Sequence, residues 1–560
     1  RQMCIRDSPK GGFYNKNEYK MLSYDFRLAA TYNREFNETH ILNSYAGAEV
    51  NSQERSSDWS EGWGMQYDNG ELPFFDYLAF KRMRERNTNY YGVSNTLNRQ
   101  IAFFATGTYS YKRRYTLTGT LRYEGSNRLG KARSARWLPT WNVAVAWNMH
   151  EEEFFKKLQP AFSFLTLKAS YSLTADAGPT WVTNSRVVIN SYNPWRPSAG
   201  VAESGLRISD LENSSLTYEK KHELNIGVDM GFLDNRINLA ADWYKRNNFD
   251  LIGWTSTQGA GGQVNRMGNV ASMKSHGFEF TLSTKNIKNK DFGWSTDLIF
   301  GLSRTEVTEL NTRSYMFALV SGSGFTREGY PHRGLFSIPF VGLDEQGFPM
   351  FEISDKDNRR VLVNKNNYGA LNFQEREHLD FLKYEGPTDP TITGSLGNVF
   401  SYKNWKLNIF VTYSAGNKVR LDPVFRSTYN DLDATPKDFK NRWRVPGDEK
   451  RTDIPVISAR RHHQLYSNLN LGYNAYNYST ARVADGGFVR MKEISLTYSL
   501  PGSLLEGKLL KSASIKVQAT NLFLIYSDRK LNGQDPEFFR SGGVSAPVPK
   551  QFTCTLRLGF

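Results

Sequence analysis

Residues 222–232 read HELNIGVDMGF, and after a short turn residues 237–244 read INLAADWY. Apolar and polar side chains alternate with a period of two in both segments, so successive side chains point to opposite faces of an extended chain. One face of the first segment carries His222, Leu224, Ile226, Val228, Met230 and Phe232. The other face carries only Glu, Asn, Gly and Asp. The pattern predicts an antiparallel β-hairpin with one apolar and one polar face.

The same alternation recurs along the chain, for example over residues 141–149, 165–173 and 405–413. We predict about fifteen such strands, many of them longer than the five or six residues usual in globular sheets. Strands of that length suit a tilted crossing of a bilayer. Only alternate residues of such a strand face lipid, so a polar mean hydropathy of −0.56 does not argue against a membrane.

The links between the predicted strands alternate between short and long. Short turns are predicted near residues 34–37, 112–114, 233–235, 286–291, 403–404 and 501–508. The largest links are predicted at residues 52–97, 175–215, 308–390 and 421–480. Outer-membrane barrels sort their links in this way, whereas a soluble sandwich has no reason to. The sequence therefore predicts an all-β transmembrane antiparallel β-barrel with short periplasmic turns and long extracellular loops.

Composition excludes several other classes of protein. The chain has 560 residues, 14% aromatic residues and two cysteines, Cys4 and Cys554, which lie at opposite ends. A disulfide framework or a cysteine metal site is therefore not expected. The formal charge of +15 is spread among acidic residues without a basic block, so we expect no nucleic-acid partner.

Strand parity and the two termini suggest that the chain is part of a longer protein. The last predicted strand alternates up to Phe560 and runs toward the periplasm if the long loops lie outside. A barrel with both ends periplasmic needs an even number of strands, so an odd number is expected upstream. Residues 1–8 match nothing that follows, and we interpret them as an artefact or scar. Residues 9–560 are then the C-terminal part of the barrel.

Several motifs in a fixed order resemble the SusC/RagA-like, TonB-dependent outer-membrane transporters of Bacteroidota. Gly268-Asn269-Val270 followed by Ser275-His276-Gly277-Phe278-Glu279 resembles the family's strand entry. Gly329-Tyr330-Pro331 with Val341-Gly342-Leu343-Asp344 resembles its "GYP…GLD" loop. Asp389-Pro390-Thr391 leading into Phe400-Ser401-Tyr402-Lys403-Asn404-Trp405 is similar to its "FSYK" hairpin.

Two further motifs near the C-terminus extend the resemblance over about residues 20–560. Residues 484–492, ADGGFVRMK, resemble "DGSFLRLK". Thr520-Asn521-Leu522-Phe523 and Asp535-Pro536-Glu537 match the "NLF…DPE" pair.

The resemblance implies properties that the periodicity does not show. It implies a barrel of 22 strands with a plugged lumen, preceded by a signal peptide, a TonB box and a plug domain that this sequence lacks. It also implies a SusD-like surface lipoprotein as a lid, and energy supplied by the TonB–ExbB–ExbD complex. The implied location is the outer membrane, in contact with its lipid, and the implied ligand is a glycan or peptide fragment. A dimer of transporter–lipoprotein pairs is implied as well.

Aromatic side chains in the long links are the predicted ligand-binding residues, because flat rings cover the apolar C–H faces of sugars. They are Trp59, Trp63, Tyr67, Trp181, Tyr192 and Trp195. The alternative is that these rings pack the loops or form the aromatic girdle of the barrel.

Catalytic and metal sites are not expected, and neither is a cofactor. The acidic groups Asp431 with Asp433 and Glu151 to Glu153 are interpreted as solvated loop residues rather than a glycosidase pair. Residues 354–358 lack the Gly and closing Glu of a calcium loop. The adjacent His462 and His463 point in opposite directions if they lie on a strand, which makes a poor metal pair.

Three functional classes fit these observations. The first is an energy-coupled nutrient importer and not an enzyme. The second is a passive porin or an adhesin-type outer-membrane barrel, which has no plug or TonB box. The third is a soluble, secreted all-β carbohydrate-active protein, whose apolar strand faces are buried against each other.

Overall fold

The structure is a computed structural model. It describes residues 12–65, 77–85, 88–129, 136–159, 161–178, 188–192, 205–210, 213, 216–256, 265–355, 357, 359–425, 437–505, 509–541 and 549–560.

Fifteen long strands form one antiparallel sheet. The strand numbers follow chain order and include the short strands in the links between them. They are β1 (Gly12–Phe36), β2 (His40–Met65), β3 (Tyr91–Tyr111), β4 (Tyr115–Ser126), β5 (Trp137–Asn148), β6 (Phe162–Asp176), β9 (Glu219–Phe232), β10 (Ile237–Ser256), β11 (Asn265–Lys288), β12 (Phe292–Leu310), β18 (Ile392–Tyr402), β19 (Trp405–Ala415), β22 (Phe488–Ser499), β23 (Ser512–Ser527) and β24 (Gln551–Gly559).

The other elements are short and lie in the links. The strands are β7 (Val188–Tyr192), β8 (Gly205–Asp210), β13 (Gly334–Ser337), β14 (Phe340–Leu343), β15 (Pro349–Ser354), β16 (Arg360–Val363), β17 (Lys383–Pro387), β20 (Lys418–Arg420) and β21 (Val483–Asp485). The α-helices are α1 (Tyr77–Glu85), α2 (Met316–Val320), α3 (Arg460–Leu465) and α4 (Leu469–Asn477). Short 3₁₀ helices span Met149–Glu151, Glu153–Lys157, Tyr368–Ala370, Lys437–Asn441, Asp448–Lys450, Thr480–Arg482, Gly502–Leu504, Arg529–Leu531 and Pro536–Ser541.

Each long strand pairs with the next long strand of the chain, so the sheet is an uninterrupted meander from β1 to β24. The strands reach 25 residues in β1 and 26 in β2. The prediction of about fifteen long antiparallel strands is therefore confirmed. None of the helices in the described ranges is long and apolar enough to cross a bilayer.

The strand register collects the apolar side chains on one face of the sheet. Val145 on β5 lies opposite Ala169 on β6, which lies opposite Ile226 on β9, and Ile226 lies opposite Trp243 on β10. Val145 and Ile226 are both 50% exposed, so this face is not covered by a second sheet. The face is therefore suited to lipid, and the burial that a soluble carbohydrate-active protein requires is not found here.

The other face of the same strands is charged and internally paired. The Lys168 ammonium on β6 lies 3.0 Å from Asp229 on β9 and 3.7 Å from Asp242 on β10. A face that carries such groups suits the aqueous interior of a barrel. We call it the luminal face, and we call the apolar face the outer face.

The short links are tight turns at one end of the sheet. Leu233, Asp234 and Asn235 between β9 and β10 all have positive φ angles of 51–57°, and Lys112 and Arg113 between β3 and β4 have 50° and 57°. Left-handed residues at a hairpin tip match the twist of the flanking strands. Asp and Asn adopt this region more readily than other non-glycine residues.

The long links all lie at the opposite end, as predicted, but their predicted bounds need correction. The link predicted at 52–97 is wrong at both ends, because β2 continues to Met65 and β3 already begins at Tyr91. The alternation there carries many polar residues on both faces, so it gives no clear strand signal. The links after β6, β12 and β19 cover residues 177–218, 311–391 and 416–487.

Aromatic pairs line the end of the sheet that carries the short turns. Trp405 on β19 and Tyr498 on β22 have ring centroids 4.6 Å apart, and Trp294 on β12 lies 5.8 Å from Phe400 on β18. Tyr115 and Trp147 form a third pair at 6.2 Å. Such rings form the girdle that outer-membrane barrels place at a membrane interface.

We predict that Val143→Arg destabilises the folded barrel by about 2–4 kcal/mol, because Val143 lies on the outer face in the apolar band. The matched change Asn142→Arg introduces the same side chain one residue away on the luminal face and should have little effect. The free energy of unfolding in lipid vesicles, measured by urea titration, checks both. Equal destabilisation by the two variants would contradict the assignment of the faces.

Candidate functional site: the loop cap

Two long links fold together into one unit beyond the barrel strands. Residues 311–391 and 416–487 contribute to a single hydrophobic core, which we call the core of the loop cap. Phe336 and Phe351 come from the first link, and Tyr473 and Tyr476 from the second, and all four are buried. The loop cap is therefore a folded structure rather than a pair of separate loops.

Backbone hydrogen bonds join the two links as well. The Ile338 N–H donates to the Tyr478 carbonyl at 3.1 Å, and the Thr480 N–H donates to the Ile338 carbonyl at 3.0 Å. β20 pairs with β21 within the second link, and it follows directly after the end of β19.

Tyr368 lies in the core of the loop cap, where burial raises its pKa. Its hydroxyl donates to the Pro349 carbonyl at 2.6 Å.

Arg420 on β20 holds the two links together. Its guanidinium donates to the carbonyls of Ser479 at 2.7 Å, Val320 at 3.1 Å and Phe336 at 2.6 Å. Burial lowers the pKa of Arg420 to about 9, and the negative charge of Glu385 partly opposes this shift. The group therefore stays charged at neutral pH, and its two terminal nitrogens donate to backbone carbonyls of both links.

A second buried arginine attaches the link after β23 to the sheet. Arg490 on β22 lies 2.6 Å and 2.7 Å from the two carboxylate oxygens of Asp535 and 3.1 Å from Glu537. Lys492, two residues along, donates to the Asn521 side chain on β23 at 2.8 Å. These are the family motif residues of ADGGFVRMK, TNLF and DPE, so the structure explains why the motifs occur together.

The other motif residues also fix loop geometry. The Asp344 carboxylate accepts from the Gln346 and Phe348 N–H groups, both at 2.9 Å, and pairs with Lys365 at 2.8 Å. Asn269 exchanges two hydrogen bonds with the backbone of Thr217, at 3.0 Å and 2.9 Å. Both residues stabilise links at the extracellular end, and neither is placed as a ligand.

A cleft of about 490 Å³ opens where the loop cap leaves β12. Its lining includes Arg313, Arg327 and Arg376, together with Ser314 and Glu377. Arg313 pairs with Glu377 at 3.1 Å. Three guanidinium groups with hydroxyl and carboxylate neighbours suit the hydroxyl and acidic groups of an oligosaccharide, or the polar backbone of a peptide.

A smaller, more apolar cavity of about 300 Å³ lies inside the loop cap. Asp355 and Glu375 are the acidic residues of its lining. The backbone N–H of Arg359 lowers the pKa of Asp355, and the N–H groups of Glu377 and Arg376 lower the pKa of Glu375. Both carboxylates are therefore ionised and accept hydrogen bonds from backbone N–H groups of their own turns. They are poorly suited to act as acids.

A second charged network lies on the luminal face of β1, β2 and β4. Arg27 on β1 lies 2.6 Å from Glu49 on β2, and Arg122 on β4 lies 2.5 Å from the same carboxylate. Arg122 also pairs with Glu124 at 2.6 Å. This network gives the luminal face a polar wall of balanced charge.

Three of the six predicted ligand aromatics, Trp59, Trp63 and Tyr192, belong to strands. Trp59 and Trp63 lie on β2 and not in a loop, which corrects their predicted position. Trp63 is fully buried, its indole N–H donates to Glu61 at 2.8 Å, and its ring packs on Phe80 of α1 at 5.2 Å. Trp63 therefore packs the link, as the alternative interpretation has it.

Trp59 is the more accessible of the two, with 40% of its surface exposed. Its indole lies so close to Gly92 on β3 that a Cβ there would overlap the ring. Tyr192 belongs to β7. Tyr67, Trp181 and Trp195 lie outside the described residues, so a ligand-binding role for these three stays a prediction.

The groups considered for catalysis are structural where they are described. Glu152 lies near the short turns, accepts from the Tyr115 hydroxyl at 2.6 Å and pairs with Arg114 at 2.9 Å. His462 and His463 lie on helix α3, which corrects the strand assumed for them. Asp431 and Asp433 lie outside the described residues. Within the described ranges no three His, Cys, Asp or Glu side chains are grouped so as to hold a metal.

Residues 6–447 match the family model described as TonB dependent receptor-like, beta-barrel. The chain belongs to this family. It is accordingly a protein of the outer membrane, and the resemblance to SusC and RagA proteins is confirmed by the relatives below.

Curated relatives share about a quarter of their residues with the chain. TonB-dependent receptor P39 of Formosa agariphila is 25% identical over 579 residues, which cover 96% of this chain and 52% of that protein. TonB-dependent receptor SusC of Bacteroides thetaiotaomicron is 26% identical over 493 residues, which cover 85% of this chain and 44% of SusC. The chain thus spans about half the length of the curated relatives it matches.

A solved structure titled as the RagAB peptide transporter shows the same fold. Its TM-score is 0.76 at 22% sequence identity, and the match covers 98% of this chain and 56% of that chain. The antiparallel sheet and the long links of the present structure therefore follow a known barrel architecture.

Sequence reasoning missed the arginines that organise the loop cap. Arg420 lies in the segment Lys-Val-Arg-Leu at residues 418–421. Its position between two apolar residues, just after a predicted strand, is the local signal that could have indicated a buried arginine. Its carbonyl partners come from positions 59, 84 and 100 residues away along the chain, which no local pattern reveals.

We predict that Arg420→Met loosens the loop cap while leaving the barrel intact, because three buried carbonyls lose their donor at about 1–3 kcal/mol each. Amide hydrogen exchange of residues 334–338 and 469–477 should accelerate at least tenfold, with β10 unchanged. Arg359→Met, which removes an exposed arginine of the same cap, is the control. Unchanged exchange in the cap of the Arg420 variant would show that the guanidinium does not join the two links.

Proposed function

We propose that the full-length protein imports glycan oligosaccharides or oligopeptides across the outer membrane and leaves them chemically unchanged. The observation that carries the proposal is the loop cap, a folded unit with its own core and an arginine-lined cleft beside the end of β12. A simple diffusion pore has no need of such a unit. Membership of the TonB-dependent receptor family supports energy coupling.

We propose that energy coupling depends on further parts of the full-length protein. We propose that residues 9–560 form the C-terminal part of a 22-stranded barrel, and that a plug domain and a TonB box precede them in the full-length protein. The TonB–ExbB–ExbD complex then supplies the work of moving the plug. Residues 1–8 lie outside the described residues and stay assigned as an artefact.

We propose a SusD-like surface lipoprotein as the lid over the loop cap. The similarity to the solved structure titled as the RagAB peptide transporter supports a partner protein. The loop cap exposes apolar side chains that a lid can cover, among them Leu362, Val445 and Leu465, of which Leu465 is 71% exposed. The ligand is then held between the lid, the cleft and Trp59.

The proposal predicts that uptake depends on the proton gradient. A strain that carries the full-length gene should accumulate fluorescent oligosaccharides or peptides from a defined library, and a deletion strain should not. An uncoupler should abolish this uptake because TonB then does no work.

In the same strain, Arg313→Gln with Arg376→Gln should weaken ligand binding about tenfold or more, since charge-assisted hydrogen bonds are lost.

The matched control is Arg359→Gln with Arg360→Gln, which removes two exposed arginines of the loop cap outside the cleft. Uptake that persists in the presence of the uncoupler would favour a passive porin. Surface binding without any uptake would favour an adhesin. Equal binding by the cleft and control variants would remove the cleft from the ligand path.

A further inference from the structure

Three basic residues lie side by side on the outer face, next to its apolar band. Lys245 on β10 lies opposite His276 on β11, and His276 lies opposite Arg304 on β12. Neighbouring strands are about 5 Å apart, so the three positions span about 10 Å. All three side chains are exposed. We call this set the basic row.

The basic row follows directly on an apolar row. Two residues closer to the short turns, Trp243, Phe278 and Leu302 occupy the matching positions on the same three strands. Trp243 and Phe278 are 40% and 37% exposed, as expected of side chains that face lipid. The outer face therefore changes from apolar to cationic within two residues on each strand.

The depth of this change matches a membrane interface. On β12, Trp294 belongs to the aromatic girdle beside the short turns, and Arg304 follows ten residues later. Ten residues of a strand tilted by about 40° rise roughly 25 Å, which is the height of the apolar band in outer-membrane barrels. The basic row thus lies at the interface with the outer leaflet.

The basic side chains of this row are unpaired, in contrast to Lys168 and Arg246 of the luminal face. Within the described ranges, the side chains of Lys245, His276 and Arg304 make no hydrogen bond or ion pair. Arg246, the next residue after Lys245, points to the lumen and pairs with Glu223 at 3.1 Å. The arginine that points to the lumen is therefore paired, whereas the basic residues of the outer face are not.

The neighbours of the basic row do not neutralise it. Leu224 on β9 lies opposite Lys245, and the row above contains Asn247, Lys274 and Glu306. Glu306 is the acidic member of that row and lies opposite Lys274, so it is offset by that lysine. The basic row keeps its positive charge toward the membrane.

We propose that the basic row binds the phosphate-bearing headgroup of a lipid in the outer leaflet. Arginine offers a planar fork that matches a phosphate, and lysine adds a mobile point charge. The acyl chains of the same lipid would pack on the apolar row of Trp243, Phe278 and Leu302. Charge complementarity and position at the interface both favour this occupant over a soluble protein partner.

The test compares lipid retention by two double variants of the full-length protein in detergent, measured by native mass spectrometry. The probe is phosphorylated lipid A, with enzymatically dephosphorylated lipid A as its uncharged counterpart. Lys245→Gln with Arg304→Gln should weaken binding of the phosphorylated form about 30-fold, since each cation near an anionic surface contributes about fivefold. Binding of the dephosphorylated form should not change.

Lys288→Gln with Lys290→Gln removes the same charge at the short-turn end and should retain wild-type binding. The conservative pair Lys245→Arg with Arg304→Lys should also retain it, which separates loss of charge from a folding defect. Equal binding of phosphorylated lipid A by both neutralised variants would overturn the proposal. Equal retention of the two forms of lipid A by the wild type would overturn it as well.

Discussion

Backbone hydrogen bonding is the constraint on which the rest of this structure depends. A chain that crosses a bilayer as strands must pair every N–H and C=O group with a neighbouring strand, because lipid offers no partner. Antiparallel pairing with a regular register then sends alternate side chains to lipid and to water. Ile226 and Trp243 face outward, whereas Lys168 with Asp229 and Asp242 form ion pairs inside. Because successive side chains point to opposite faces, the same strands form both the lipid-facing surface and the polar luminal face.

The loop cap obeys a different rule, because it lies beyond the strands and must build its own core. Aromatic and aliphatic side chains from two links fill that core, and buried arginines satisfy the carbonyls that irregular backbone leaves there. Arg420 joins the two links, and Arg490 holds a third link through Asp535. A cap built in this way holds the arginine-lined cleft beside the end of β12.

The strands could be predicted from the sequence, whereas most of the site could not. The alternation in 222–232 and 237–244 reports directly which side chains face lipid, and both strands were found there. Residues 52–65 extend β2 with polar side chains on both faces, so period two fails as a signal and Trp59 and Trp63 were predicted to lie in a loop. The motifs identified the family, but only the fold shows that Arg490 and Asp535 are partners. Loop packing depends on contacts distant in sequence, which local patterns do not contain.

The alternation of faces is tested most directly by single-cysteine scanning of residues 238–243 on β10, in the full-length protein with Cys4 and Cys554 replaced by Ser. A water-soluble maleimide should label cysteines at Asn238, Ala240 and Asp242, which face the lumen, and should leave those at Leu239, Ala241 and Trp243 unlabelled. A lipid-soluble quencher should show the reverse order. Uniform labelling, or labelling in the opposite phase, would contradict the account of the strands as the wall of an outer-membrane barrel.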